Sequence, residues 1–313
     1  MPATTKTRCQ VSIPASTSNI GPGFDFLGCA FQLRNEFNIE LTLEDRDSNS
    51  IIFNGPQSKG LIPSSDNLFF GCAQRVFERI GEPMPALRVR AHVEVPNARG
   101  LGSSATATVA GILAANLLAG EPLSRQDLLE IACDIEGHPD NVAPALLGGM
   151  VGGVMTDSGR VLIRRWMPHP SIGFVLVSPD YEVSTRLARA ALPKEIPLKD
   201  AIANATRIPL LVMALIDGDL SDLRELTLDR WHEPYRAHLF RSLEPLKAAA
   251  FAAGAASVTV SGAGPSLLAI TGIGNTNRVA EAWRAALSSC SLGGTVRVLE
   301  VDRDGAVVQA QQS

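Results

Sequence analysis

Residues 99–108 read "RGLGSSATAT", two glycines and two serines directly ahead of small apolar residues. Glycine lets backbone amides approach a ligand closely. A helix starting at Ser103 or Ser104 would present free N–H groups and the positive end of its dipole, which suits an anion such as a phosphate. The stretch is neither GxxxxGK[ST], since no lysine follows, nor GxGxxG. A plain turn into a closely packed helix of Ala, Thr and Gly accounts for the same residues, so both readings stand at this point.

Three further stretches gather polar groups beside turn formers. "PASTSNIGPGFDFLG" (14–28) carries Asn19 and Asp25 in what reads as an Asx-rich loop. "EGHPDNVAPALLGG" (136–149) crowds Glu136, His138, Asp140 and Asn141 beside a proline-fixed turn. "SGAGPS" (261–266) is a glycine loop between two apolar runs, which a hairpin turn would also explain.

The elements that must position these stretches follow from periodicity and punctuation. "CQVSIPAS", "NEFNIELTLED" and "NSIIFNG" read as strands, and "ALRVRAHVEVP" alternates as a half-buried strand does. "DNLFFGCAQRVFERIG" reads as a helix capped by Asp66 and closed at Gly81. "LSRQDLLEIACDIEG" reads as a helix with Ser124 and Asp127 as its capping box, an apolar stripe of Leu128, Ile131, Ala132 and Ile135, and Gly137 as C-cap. Residues 137–160 read as polar or glycine-rich text. Beyond them come a strand ("SIGFVLVSP"), a helical region to about 254, two strands ("ASVTVS", "SLLAIT"), a helix and a last strand ("TVRVLEVD"). That is the split β-α-β-β-α-β order of ferredoxin-like domains. The expected division is 1–165 and 166–313.

Composition narrows the function class. The chain of 313 residues is 45% hydrophobic and 19% charged, enough for a full-sized core. A net charge of −4 and the lack of a basic tract give no footprint for nucleic acid or anionic membrane. Five cysteines, with no CxxC pair, suggest neither a disulfide frame nor a zinc site and favour a reducing compartment. With no apolar signal core at the start, a cytoplasmic protein is expected. A homodimer is one form the sequence allows without fixing it.

Together, "VPNARGLGSSAT", "PASTSNIGPGFD" and "VSGAGPS" resemble the three motifs of the GHMP kinases in their order. The resemblance runs from about residue 10 to about 301. It implies an α+β fold of two domains, the N-terminal one like ribosomal protein S5 domain 2 and carrying the ATP site, the C-terminal one ferredoxin-like. ATP and Mg2+ would be the cofactors. "EGHPDNVAPALLGGMVGG" and "STRLARAALP" are most similar to the branch of the family that phosphorylates the side-chain hydroxyl of L-homoserine. Mevalonate- and shikimate-type kinases, or a non-catalytic ligand-binding relative, are the alternatives.

The resemblance also implies roles. Arg99, Gly100, Leu101, Gly102, Ser103 and Ser104 would wrap the triphosphate, with Thr106 one turn further on. Asn67, in "SSDNL", resembles the asparagine that contacts adenine. Asn19, Asp25, His138 and Asp140 resemble the polar contacts around the amino acid. Arg189 and Arg236 match the arginines expected on its carboxylate, and Thr185 would share the helical face of Arg189. Asn141 stands where other members place a catalytic aspartate; an asparagine cannot take the proton, so catalysis would rest on positioning and charge neutralisation with the proton lost late, to the phosphate itself, and Asp140 as base is the alternative. Magnesium would fall to Ser104 and a glutamate, Glu136 rather than Glu130, because a cation beside the last helical turn would offset the unfavourable dipole there.

Overall fold

The computed structural model describes residues 7–42 and 48–311. The first half holds strands β1 (Arg8–Ser18), β2 (Leu27–Leu41), β3 (Ser50–Asn54) and β4 (Leu87–His92), with helix α1 (Leu68–Ile80) between the last two. Helices α2 (Ser103–Leu118), α3 (Arg125–Glu136) and α4 (Pro139–Leu147) follow, and then the hairpin β5 (Met150–Met155) and β6 (Val161–Trp166). β4 shows the expected alternation, with Leu87, Val89 and Ala91 inside. The 15-residue β2 pairs with β1 along one edge and serves two strands on the other: Glu36–Leu41 pairs with β4, and Leu27–Cys29 with β5. Leu43–Asp45 of the "NEFNIELTLED" run lie outside the described residues.

The second half runs β7 (Ile172–Pro179), α5 (Thr185–Ala190), α6 (Leu198–Asp217), α7 (Leu223–Leu226), α8 (Glu233–Arg236) and α9 (Leu243–Ala252). It continues with β8 (Ser257–Val260), β9 (Leu267–Gly272), α10 (Thr276–Ser289) and β10 (Gly294–Leu299). Its four strands pair antiparallel in the order β10-β7-β9-β8, and the expected helical region is divided into α5–α9, with Gly218 closing the 20-residue α6 and Pro234 in the first turn of α8.

Several local expectations change. Asn67, not Asp66, caps α1: its Oδ1 accepts from the Phe69 amide at 3.0 Å. The capping box of α3 and the left-handed Gly137 are as expected, but Leu129 and Cys133 are buried where Ile131 and Ile135 are only half-buried, so the stripe is rotated by about one residue. The supposed loop at 137–160 contains α4 and the β5–β6 hairpin. Pro139 sits at N1, where its fixed φ favours a helix start. Glycines in β5 serve close packing rather than turning: a Cβ on Gly152 would lie 2.6 Å from the Phe26 ring. The loop of the first motif is also shorter than expected, because β1 continues through Ser18.

The final strand crosses back. β11 (Val307–Gln311) pairs antiparallel with β1, making a seven-stranded first sheet, so the expected 166–313 unit gives its last strand to the other half. Gly305, at φ 72°, turns the chain, and Arg34 pairs with Asp302 beside it. Only Val308 and its flank are partly buried, so β11 carries too little apolar alternation to be seen in advance.

Each half has its own core. A third apolar cluster joins them, with Ile20, Leu27 and Leu101 from the first half against Phe174, Leu176 and Leu268 from the second. Phe31 meets Phe174 edge-on at 5.5 Å across this joint. Burying each such side chain contributes about 1.5–3 kcal/mol, which fixes the walls of the cleft between the halves.

Candidate active site

The opening stretch is both a turn into a buried helix and a cradle. α2 is apolar nearly all round and lies in the core. Gly100 and Gly102 sit at φ 72° and 64°. A Cβ at Gly100 would stand 2.0 Å from the Ser261 carbonyl oxygen, and one at Gly102 would stand 2.2 Å from Ser16 Oγ. α2 starts at Ser103 with no side-chain cap, so its first-turn amides lack intrahelical partners, as every helix start does. Those amides open towards a cavity of about 300 Å³ lined by Gly100, Gly102, Ser103 and Ser104.

Hydrogen bonds tie the three motifs together across the two halves. Ser261 Oγ donates to the Gly100 carbonyl at 2.6 Å and lies 2.7 Å from Thr17 Oγ1. The Gly262 amide donates to the Ser18 carbonyl at 3.0 Å, and the Ser16 amide to the Leu101 carbonyl at 3.2 Å. Asn19 bridges the same motifs with both ends of its side chain. Its Oδ1 accepts from the Asp25 amide at 2.9 Å, and its Nδ2 donates to the Gly262 carbonyl at 3.1 Å.

Glu136 reaches the cradle from the end of α3. Its Oε1 accepts from Thr108 Oγ1 at 2.9 Å, and Oε2 accepts from Ser104 Oγ at 3.4 Å. Ser104 and Thr108 are one turn apart on α2 and so share a face. A carboxylate and a hydroxyl beside unpaired amides make an all-oxygen set suited to a hard cation such as Mg2+. Glu130 instead accepts from Gln126 on an exposed face near Arg75, away from the cavity.

Asp25, His138 and Asp140 each place a ligand-type atom within 4.8 Å of the others. Arg189 grips Asp25 with two nitrogens at 2.9 and 3.1 Å. His138 Nδ1 pairs with Asp140 Oδ1, while Asp140 Oδ2 is buried without a partner. Burial works against the imidazolium of His138, but the hydrogen bond and charge of Asp140, with the charge of Asp25, more than offset it and raise the pKa. Asp140 is fully buried behind His138, and of the two only His138 lines the cavity.

At the cavity's other side Arg236 is 2% exposed and donates from Nε to the Ala188 carbonyl at 3.0 Å. Burial and the nearby Arg189 both lower its pKa. Thr185, Arg189 and Asn141 line the same cavity. Asn141 donates to Ser18 Oγ at 2.8 Å and accepts from Ser16 Oγ at 3.1 Å, which fixes its amide. Arg99 lines the cavity while donating to the Pro179 carbonyl and to Asp180.

Some of the expected site residues are engaged elsewhere in the protein. Thr106 is buried, donating to the Ser103 carbonyl and accepting from Asn35 Nδ2 at 2.8 Å, so it faces the core. The Leu101 side chain packs in the joint between halves. Asn67 uses its Oδ1 as a cap and is not among the cavity-lining residues. Arg189 lines the cavity while paired with Asp25. Conversely, sequence reasoning misses Ser16, Ser18 and Phe24. The two serines alternate along β1 and are signalled only by the "PASTSN" context, and an aromatic between Gly23 and Asp25 has no sequence signature of its own.

Residues 67–149 match the family model described as GHMP kinases N terminal domain, and residues 211–289 match GHMP kinases C terminal. A homoserine kinase of Picosynechococcus sp. is 40% identical over 304 residues, 96% of this chain and 99% of that protein. One from Synechococcus sp. (strain CC9311) is 44% identical over 282 residues, 88% of this chain and 89% of that protein. The crystal structure of homoserine kinase from Cytophaga hutchinsonii superposes with a TM-score of 0.86 at 29% identity, covering 97% of this chain and 98% of that one.

Proposed function

The chain belongs to the GHMP kinase family, and from that premise we infer that it transfers the γ-phosphoryl group of ATP to the side-chain hydroxyl of L-homoserine, giving O-phospho-L-homoserine. ATP with Mg2+ is the cofactor pair. One observation carries the reading: a single cavity joins the glycine cradle and Glu136 to a buried arginine and to His138, the member of the Asp25, His138 and Asp140 cluster that lines it. A phosphate, a carboxylate and an ammonium each find a complement there.

The cradle amides and the α2 dipole would hold the triphosphate, with Arg99 flanking. Ser104 and Glu136 would hold Mg2+, which when bound neutralises phosphate charge. Arg236 would bind the α-carboxylate, with Thr185 and Arg189 beside it, and the carboxylates of Asp25 and Asp140 would supply the negative charge for the ammonium, with His138 beside them. Asn141, its amide fixed by Ser16 and Ser18, would orient the attacking hydroxyl. Phosphoryl transfer through a loose transition state asks mainly for positioning, and the hydroxyl proton can leave late, to the transferred phosphoryl oxygens. Asp140, shielded by His138, is poorly placed to act as the base.

A coupled ADP-release assay with homoserine, mevalonate and shikimate tests this. Turnover of homoserine alone is expected, and turnover of mevalonate with none of homoserine would overturn it. The described cysteines are all unpaired, which suits a reducing cytoplasm. No helix among the described residues is long and apolar enough to cross a membrane. A homodimer fits the exposed Val154, Leu162 and Met213 around one apolar groove, and sedimentation would read it directly.

A further inference from the structure

Two arginines face one cavity, and like charges so placed disfavour each other. Something must hold both guanidinium groups in position. Phe24, in the loop between β1 and β2, lies against both: its ring centroid is 5.7 Å from the Arg189 guanidinium carbon and 5.2 Å from that of Arg236. The negative face of an aromatic ring attracts a guanidinium without taking up any of its N–H donors. The ring is itself backed by His232, at 5.3 Å and a 30° tilt. His232 is fully buried, and its Nε2 meets the Gly21 carbonyl at 3.0 Å, in the loop that carries Phe24. The next residue, Asp25, grips Arg189. The loop from one half thus seats both arginines of the other, through one ring and one carboxylate.

We propose that Phe24 is the positioning residue that sets Arg189 and Arg236 as a receptor for the α-carboxylate, and so determines specificity for a carboxylate-bearing amino alcohol over its decarboxylated counterpart. This rests on the homoserine-kinase reading above. Phe24 has no part in the chemical step, and its loss should be felt at the carboxylate end alone.

The test uses the full chain with Mg-ATP, comparing the parent, Phe24→Leu and Phe24→Tyr on L-homoserine and on 3-aminopropan-1-ol, which lacks the carboxylate. Phe24→Leu should raise the KM for homoserine about tenfold while kcat and the KM for ATP stay within about threefold. Its kcat/KM for the amino alcohol should hold, so discrimination narrows. Phe24→Tyr, which keeps the ring, should restore the homoserine KM to within about threefold of the parent. Thermal melting checks folding, and Phe24→Met replaces Phe24→Leu if the latter unfolds. An unchanged homoserine KM in the non-aromatic variant, or an equal loss for homoserine, amino alcohol and ATP, would overturn the proposal. A parent that turns over no homoserine at all would instead sink the reading on which it rests.

Discussion

Glu136 Oε1 accepts a hydrogen bond from Thr108 Oγ1 at 2.9 Å, so the last turn of α3 is held against the first turns of α2 beside the glycine cradle. The sequence offered two glutamates for the cation, and this contact places Glu136, not Glu130, beside the cradle. Glu136→Gln should cut Mg-ATP turnover by about two orders of magnitude or more, as losing a group that neutralises developing charge does, and should raise the magnesium needed for half-maximal rate. Glu130→Gln should be nearly silent. A magnesium titration of both variants checks this, and a crippled Glu130→Gln beside a normal Glu136→Gln would reverse the assignment.

Arg236 is a buried cation whose Nε holds the Ala188 carbonyl. Truncating one partner of a buried charge pair costs about 2–5 kcal/mol. Arg236→Ala should therefore lower kcat/KM for homoserine at least about tenfold, with ATP affinity near normal. Collapse of ATP affinity with homoserine affinity intact would place Arg236 in the nucleotide site or the fold instead.

Gly81 and Gly100 have nearly the same φ, 74° and 72°, but different surroundings. A Cβ on Gly81 meets nothing within 4 Å, whereas one on Gly100 meets the Ser261 carbonyl at 2.0 Å. Gly81→Ala should cost only the left-handed penalty of about 1–2 kcal/mol in urea unfolding, with activity kept. Gly100→Ala should cost more and abolish ATP binding, because the Ser261 backbone must move away and its bond to the Gly100 carbonyl must break. Equal costs at the two sites would show that close approach at Gly100 does not matter.

The raised pKa of His138 links stability to pH. A folded-state pKa above the unfolded value means the stabilisation is fully present below the unfolded value and is lost as pH rises through the folded one. Unfolding by urea at pH 6 and pH 9 should show the parent losing stability across that window. Asp140→Asn, which removes the charge that raises the pKa, should flatten this slope. An identical slope in both proteins would show that the pair is not linked to folding in this way.

Much of the chemistry is local in the chain and was legible there. The glycine pair before Ser103, the capping box at Ser124 and Asp127, and the C-cap at Gly137 are short-range devices whose physics needs only neighbouring residues. Asp66 and Asn67 show the limit of that reasoning: adjacent residues of equal capping ability can be told apart only by which one the chain places in extended backbone, and Asn67 is the one so placed. Helix α4 was hidden by Pro139 and Pro144, which read as turn formers, and the β5–β6 hairpin because the glycines of β5 answer to partners far along the chain, as Gly152 does to Phe26.

What only the tertiary structure decided are the pairings between distant segments. Residue types named Asp25 and Asp140 as polar candidates, and the family resemblance added Arg189 and Thr106. Packing then closed Arg189 onto Asp25, turned Thr106 to Asn35 in the core, and sealed Asp140 behind His138. It also set Phe24 between two arginines from the other half, and returned β11 to β1. Periodicity reports which face of an element is buried but not what it is buried against. Those partners are chosen by long-range burial and by the need to pair every buried polar group, and both are properties of the closed fold rather than of any one stretch.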